Sequence, residues 1–152
     1  MIRIFPSPPD SIMQKPDPSS EFQDDPSRLY EWLCFADDAF EASDPRLNLV
    51  DIFDQVLRIS MEHTSPEIRC EACRILQKGL TNHSGSHMNL HPFAMRLTQI
   101  DTEELLLGIN IVGLSGDPSL ADYLNPFLRH YDPSVRAEAM EAKSELQFPK
   151  RT

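Results

Sequence analysis

DPSVRAEAMEAKSEL, from Asp132 to Leu146, is the stretch whose reading decides the fold. Asp132 is a helix-capping residue, Pro133 suits the first turn, and Val135, Ala139, Ala142 and Leu146 recur at helical spacing along one face. A weaker copy, SPEIRCEACRILQ, begins at Ser65. Setting Ser65 on Asp132, 67 residues apart, aligns Pro66 with Pro133, Ile68 with Val135, Arg69 with Arg136, Glu71 with Glu138 and Ala72 with Ala139. Two periods of about half that length suit a repeat of helical pairs, whose common forms run to roughly 33 to 47 residues.

The same punctuation divides the rest of the chain. Residues 1–26 hold Pro6, Pro8, Pro9, Pro16, Pro18 and Pro26 among Ser, Asp and Gln, so they read as a flexible or irregular arm. A helical domain is expected over 27–147, with 148–152 as a tail. Its first helix, about 27–42, carries Leu29, Trp32, Leu33, Phe35 and Phe40 and ends at the Ser43, Asp44, Pro45 signal. Helices are then expected from Arg46 to Met61 and from Ser65 to Leu80, followed by a loop over Thr81–Asn89. A short helix over Leu90–Leu97 precedes a capping box, Asp101 with Glu104, and a nearly all-apolar helix from Leu105 to Leu114. Gly116 and Asp117 make the next turn, which also accounts for Ser115 in GLSGD. The element after Pro118 should bend or break at Pro126, and Asp132 opens the last helix. The helices pair as 46–80, 88–114 and 118–146, with 27–42 as a cap.

Over Gly116–Ala142 the order is Asp-Pro, spaced leucines, a second Asp-Pro turn, Val-Arg and spaced alanines. This resembles the short bacterial HEAT repeats related to phycobilisome-lyase repeats, and Ser65–Gln77 resembles them less closely. The resemblance implies an all-α, right-handed α-solenoid of about three HEAT-like pairs with an N-terminal capping helix. It places Asp132, Arg136 and Arg69 at positions that form a ladder between repeats; the middle pair has Leu105 near that position, which interrupts it. It also puts the second helix of each pair along a concave groove.

Charge narrows the function. The chain has 24 acidic and 14 basic residues, a formal charge of −10, which opposes binding to nucleic acid or to an anionic membrane surface and favours a basic protein partner. No apolar run is long enough to span a bilayer, the N-terminus lacks a signal-peptide core, and three cysteines do not make a disulfide framework. A cytoplasmic protein with reduced thiols is expected.

Two acidic groups stand out as partner-binding surface: Asp37, Asp38, Glu41 and Asp44 at the unfavourable end of the first helix, and Glu138, Glu141 and Glu145 on the last. An ordinary solvated face is the alternative for the second group. Trp32 and Tyr123 are the candidate anchors within the acidic rim. Cys70, Cys73, His83 and His87, with His91 beyond, are the residues a metal site would use, but Cys70 and Cys73 lie inside a helix and Gly85 separates His83 from His87. No phosphate-binding glycine loop, hydrolase elbow or His-Glu dipeptide occurs. The expected protein is therefore a non-catalytic binding module without a cofactor, for instance an immunity protein that neutralises a basic toxin by covering its active site. The alternatives are a HEAT-type lyase or metal-dependent enzyme, and an adaptor that docks through its Pro-rich arm.

Overall fold

The computed structural model describes residues 25–42, 44–83 and 88–148. Every regular element among them is helical: α1 Pro26–Glu41, α2 Leu49–Glu62, α3 Pro66–Asn82, α4 His91–Met95, the 3-10 helix η1 Arg96–Gln99, α5 Thr102–Leu114, the 3-10 helix η2 Pro118–Arg129 and α6 Pro133–Gln147. The arm expected at 1–26 falls outside the described residues except at its end, where Asp25 caps α1 and Pro26 begins it. That boundary moves because the Asp25 side chain accepts a hydrogen bond from the Arg28 N–H, satisfying one donor of the first turn. Most of the expected tail likewise lies outside; Phe148, the C-cap of α6, is exposed.

Starts follow the capping residues. Asn48 accepts from Asp51 N–H, Ser65 from Ile68 N–H, and Asp132 from Ser134 N–H. The second helix begins at Leu49, three residues later than expected, because Asp44–Asn48 forms a turn in which Asp44 holds both the backbone and the guanidinium of Arg46. The loop expected from Thr81 begins later than predicted: Thr81 and Asn82 complete α3, and Asn82 Nδ2 donates to the Phe40 carbonyl.

The largest departure is η2. The sequence predicts a helix that bends or breaks at Pro126, whereas Pro118–Arg129 is 3-10 throughout and runs unbroken past Pro126. A 3-10 helix has three residues per turn, and buried Ala121, Leu124 and Phe127 recur at that spacing. The tighter spiral therefore gives one continuous apolar edge and accommodates Pro126.

Two packing patterns organise the core. The hairpin partners α2 with α3 and η2 with α6 lie against each other, and α1, α3, α5 and α6 touch in that order. Trp32, Phe40, Phe53 and Phe93 are the largest fully buried side chains of the shared core. The apolar helix α5 sits between α3 and α6, burying Leu105, Ile109, Ile111 and Val112, as its all-round hydrophobicity predicts. It comes close to α6 at Gly113, where an added Cβ would lie 2.9 Å from the Ala142 Cβ. No described helix is long and apolar enough to cross a membrane.

Candidate protein interface

The turn that opens α3 is built twice. In His63-Thr64-Ser65-Pro66-Glu67-Ile68-Arg69 the His63 Nδ1 accepts from Ser65 N–H at 2.9 Å. Arg69 Nη1 folds back onto the carbonyls of His63, at 2.7 Å, and Thr64, at 3.2 Å. In His130-Tyr131-Asp132-Pro133-Ser134-Val135-Arg136 the His130 Nδ1 accepts from Asp132 N–H at 3.0 Å, and Arg136 Nη1 reaches the His130 and Tyr131 carbonyls at 2.6 and 3.2 Å. Each arginine thus closes the carbonyl end of one helix onto the start of the next, satisfying acceptors that the first helix leaves open. The histidines extend the sequence repeat by two residues beyond Ser65 and Asp132, and that offset was the signal available for them.

Of the arginines that the resemblance places between repeats, Arg69 reaches the next helical pair and Arg136 bonds its own turn. Asp132 caps its own helix, and Arg69 turns its remaining N–H groups to Glu104 of α5, with Nε to Oε2 and Nη2 to Oε1 both at 3.1 Å. Arg96 lies 3.5 Å from the same carboxylate, which is only 5% exposed. The expected capping box is accordingly absent: Asp101 makes no side-chain cap bond, and the stronger pull of two guanidinium groups draws Glu104 toward α3 and η1. A second polar link runs across the same helices. Gln77 Nε2 donates to Asn110 Oδ1 at 2.8 Å, and Asn110 Nδ2 donates to Glu138 Oε1 at 3.1 Å.

These links divide the predicted acidic surfaces. Glu138 is committed to Asn110, Glu145 is half-buried near Gly113, and Glu141 is exposed. Asp37 and Glu41 both contact Lys78 Nζ at 2.9 Å, across the α1–α3 interface. Asp44 is bound by Arg46, whose hydrogen bonds hold its carboxyl below the usual carboxylate range. Asp38 is half-buried on the same helix.

The anchors change as well. Trp32 is 2% exposed within the core, so it is unavailable to a partner: the helical face that made it prominent in sequence is the face α1 buries. Tyr123 is half-buried, with its hydroxyl 3.1 Å from His91 Nδ1 and its ring edge-on to the imidazole; it joins η2 to α4. Ser119 Oγ lies 3.1 Å from the other ring nitrogen of His91.

Of the metal candidates, the two cysteines and His83 lie at different levels of α3. Cys70 and Cys73 are buried on α3, and burial raises both thiols, Cys73 to about 12. His83 follows the far end of the same helix, with Nε2 2.8 Å from the Phe40 carbonyl. His83 lies ten positions beyond Cys73 along the helix, roughly 15 Å at about 1.5 Å per residue. His87 lies outside the described residues. Among the described residues no group of three or more His, Cys, Asp or Glu side chains is placed to hold a metal ion.

A surface depression of about 370 Å³ opens between α1 and α3. Leu33 and Ile75 supply apolar lining, Asp37 and Glu71 supply carboxylates, and Tyr30 and Cys34 complete it. Tyr30 is 45% exposed, whereas the candidate anchor Trp32 on the same helix is 2% exposed. Glu71 lies 3.5 Å from Arg74, which also reaches Glu103 at 3.3 Å; Lys78 is likewise shared between two acids. Four carboxylates around this region therefore share two cations, and negative charge remains. Comparison with family models, with curated proteins and with solved structures found no match.

Proposed function

We propose that this chain is a non-catalytic protein-binding module on a HEAT-like helical-repeat scaffold, and that the depression between α1 and α3 receives a basic side chain of its partner. The observation that carries the reading is the combination there of apolar walls, one exposed tyrosine and an excess of carboxylate. A lysine or arginine has matching chemistry: its alkyl stem packs on Leu33, Ile75 and the Tyr30 ring while its cation meets Asp37 and Glu71. The Arg74–Glu71 pair is solvent-exposed and weak, so an incoming cation displaces Arg74 from Glu71 at small cost, while half-buried Lys78 stays on Asp37 and Glu41.

The scaffold reading rests on the twice-built His-to-Arg turn and on the ordered contacts α1–α3–α5–α6. In its narrower form the module is an inhibitor of immunity type, lying over the working surface of a basic protein and held by the −10 charge as well as by the depression. The raised Cys70 and Cys73 thiols and their distance from His83 favour this reading over a thiol- or metal-dependent enzyme.

Affinity capture from the native host with mass spectrometry, run in parallel with wild type and with Tyr30→Ala/Glu71→Lys, tests the assignment. A basic protein retained by wild type, lost from the double variant and released by rising salt is the expected result. A captured set unaffected by the double variant, with its helical circular dichroism intact, would overturn the site.

A further inference from the structure

The order α1–α3–α5–α6 gives each inner helix two occupied sides. On α3, Glu71, Ile75 and Lys78 face α1, while Arg69 and Gln77 make hydrogen bonds to α5 and Cys73 between them is 1% exposed. The 67-residue correspondence carries this pattern onto α6. Glu138, Ala142 and Glu145, the counterparts of Glu71, Ile75 and Lys78, face α5 through Asn110 and Gly113. Of Arg136, Met140 and Ser144, the counterparts of Arg69, Cys73 and Gln77, Met140 and Ser144 are exposed, and half-buried Arg136 bonds the turn that precedes α6. Met140 is 63% exposed where Cys73 is covered, and Tyr131, beside the same arginine, is 81% exposed.

Arg136 is also set for a ligand. Its Nη1 is clamped by two carbonyls as in Arg69, so the guanidinium is oriented before anything binds. Its Nε and Nη2, the atoms with which Arg69 grips Glu104, have no partner among the described residues. We infer that the open side of α6 is a docking surface for a helix of a partner protein that carries a glutamate in its first turn, which pairs with Arg136 as Glu104 pairs with Arg69.

Two observations select this occupant. The surface is the repeat counterpart of the α3 side of an interface that the molecule has already built between α3 and α5, where the neighbour is a helix and the group meeting arginine is a first-turn glutamate. The unpaired guanidinium is complementary to a carboxylate, and its planar fork suits bidentate binding. A second copy is disfavoured, because two chains of charge −10 repel. This surface lies on α6, away from the α1–α3 depression, and stands or falls independently of it.

The molecule supplies a defined probe. A peptide of residues 100–115, carrying a fluorophore and an uncharged polyethylene glycol tail, reproduces α5. It is titrated by fluorescence anisotropy into the full chain, alongside a Glu104→Gln peptide. Saturable binding is expected, weakened at least tenfold by Met140→Glu and by Arg136→Lys, which keeps the charge but loses the fork. The glutamine peptide should bind wild type about tenfold more weakly and should lose its discrimination against Arg136→Lys, giving non-additive losses in the double cycle. Met140→Glu alters a side chain in the open and keeps the test valid if Arg136→Lys unfolds. Absence of saturable binding, equal binding to wild type and Met140→Glu, or a wild-type dimer in sedimentation that Met140→Glu dissolves would each overturn the proposal, the last by assigning the surface to a second copy.

Discussion

Replacing Glu104 with alanine should be among the most damaging single changes in this chain, whereas the same change at Glu103 should be nearly silent. The two residues are adjacent in the first turn of α5, carry the same charge and sit in the same helix-dipole field, so any dipole term of about 0.3–1 kcal/mol is common to both. Their partners differ. Glu103 is 78% exposed and pairs with Arg74, a contact expected to contribute within about 0.5 kcal/mol. Glu104 is 5% exposed, receives two hydrogen bonds from Arg69 and neutralises Arg96 as well. Breaking a buried pair by removing one partner costs about 3–5 kcal/mol. The Arg69 and Arg96 side chains keep 18% and 22% exposure, so water recovers part of their solvation, and roughly 2–4 kcal/mol is expected. For a chain of this size that corresponds to a fall in Tm of about 5–15 °C, out of a total stability of roughly 5–15 kcal/mol. Urea unfolding followed by circular dichroism at 222 nm measures both variants. Equal losses for the two, or no coupling between Glu104→Ala and Arg69→Ala in a double-mutant cycle, would refute the assignment of Glu104 as the central charge of the core.

Gly79→Ala should destabilise by about 1–3 kcal/mol in the same assay despite the better helix propensity of alanine, because its Cβ would lie 2.8 Å from Phe53 and 2.9 Å from Phe40 inside a packed core. Burial, and then the charge of Arg69, lower the His63 pKa from 6.5; the folded state thus favours the neutral ring, and protonation would also break its bond from Ser65 N–H. Stability from this residue is present above pH 6.5 and falls as acidification protonates the unfolded chain first, so urea midpoints should drop from pH 7 to 5.5, less so in His63→Gln. Burial holds the Cys73 thiol at about 12 against 9 for an ordinary one, which reverses the direction at high pH: stability declines as pH rises above 9, where the unfolded thiol ionises and the folded one does not. Ellman's reagent should modify exposed Cys34 in the native protein and reach Cys70 and Cys73 only after unfolding; rapid native reaction of all three would contradict their burial.

Local chemistry was readable along the chain. Asp-Pro and Ser-Pro pairs mark helix starts because a capping oxygen and a proline satisfy the geometry of a first turn without tertiary help. Val135, Ala139, Ala142 and Leu146 declare a buried face because helical periodicity is a property of one segment. The apolar run of α5 announces a central helix for the same reason. In these respects the all-helical class, the order of helices and the 67-residue echo belong to the sequence alone.

What the sequence left open depends on which faces meet. Trp32 reads equally well as core or anchor until α1 packs, and only then does Tyr30 become the exposed aromatic beside Asp37 and Glu71. Glu104 reads as a capping residue within its own turn, yet the competing electrostatic attraction comes from Arg69, 35 positions away, and from Arg96 on another element. The acidic stripe on α6 separates into Glu138, committed to Asn110, and exposed Glu141 because a neighbouring helix covers part of a face that helical spacing makes continuous. Hydrogen bonding and burial between elements are set by their mutual placement, which no local pattern encodes; the tertiary structure alone decided which charges hold the molecule together and which remain available for a partner.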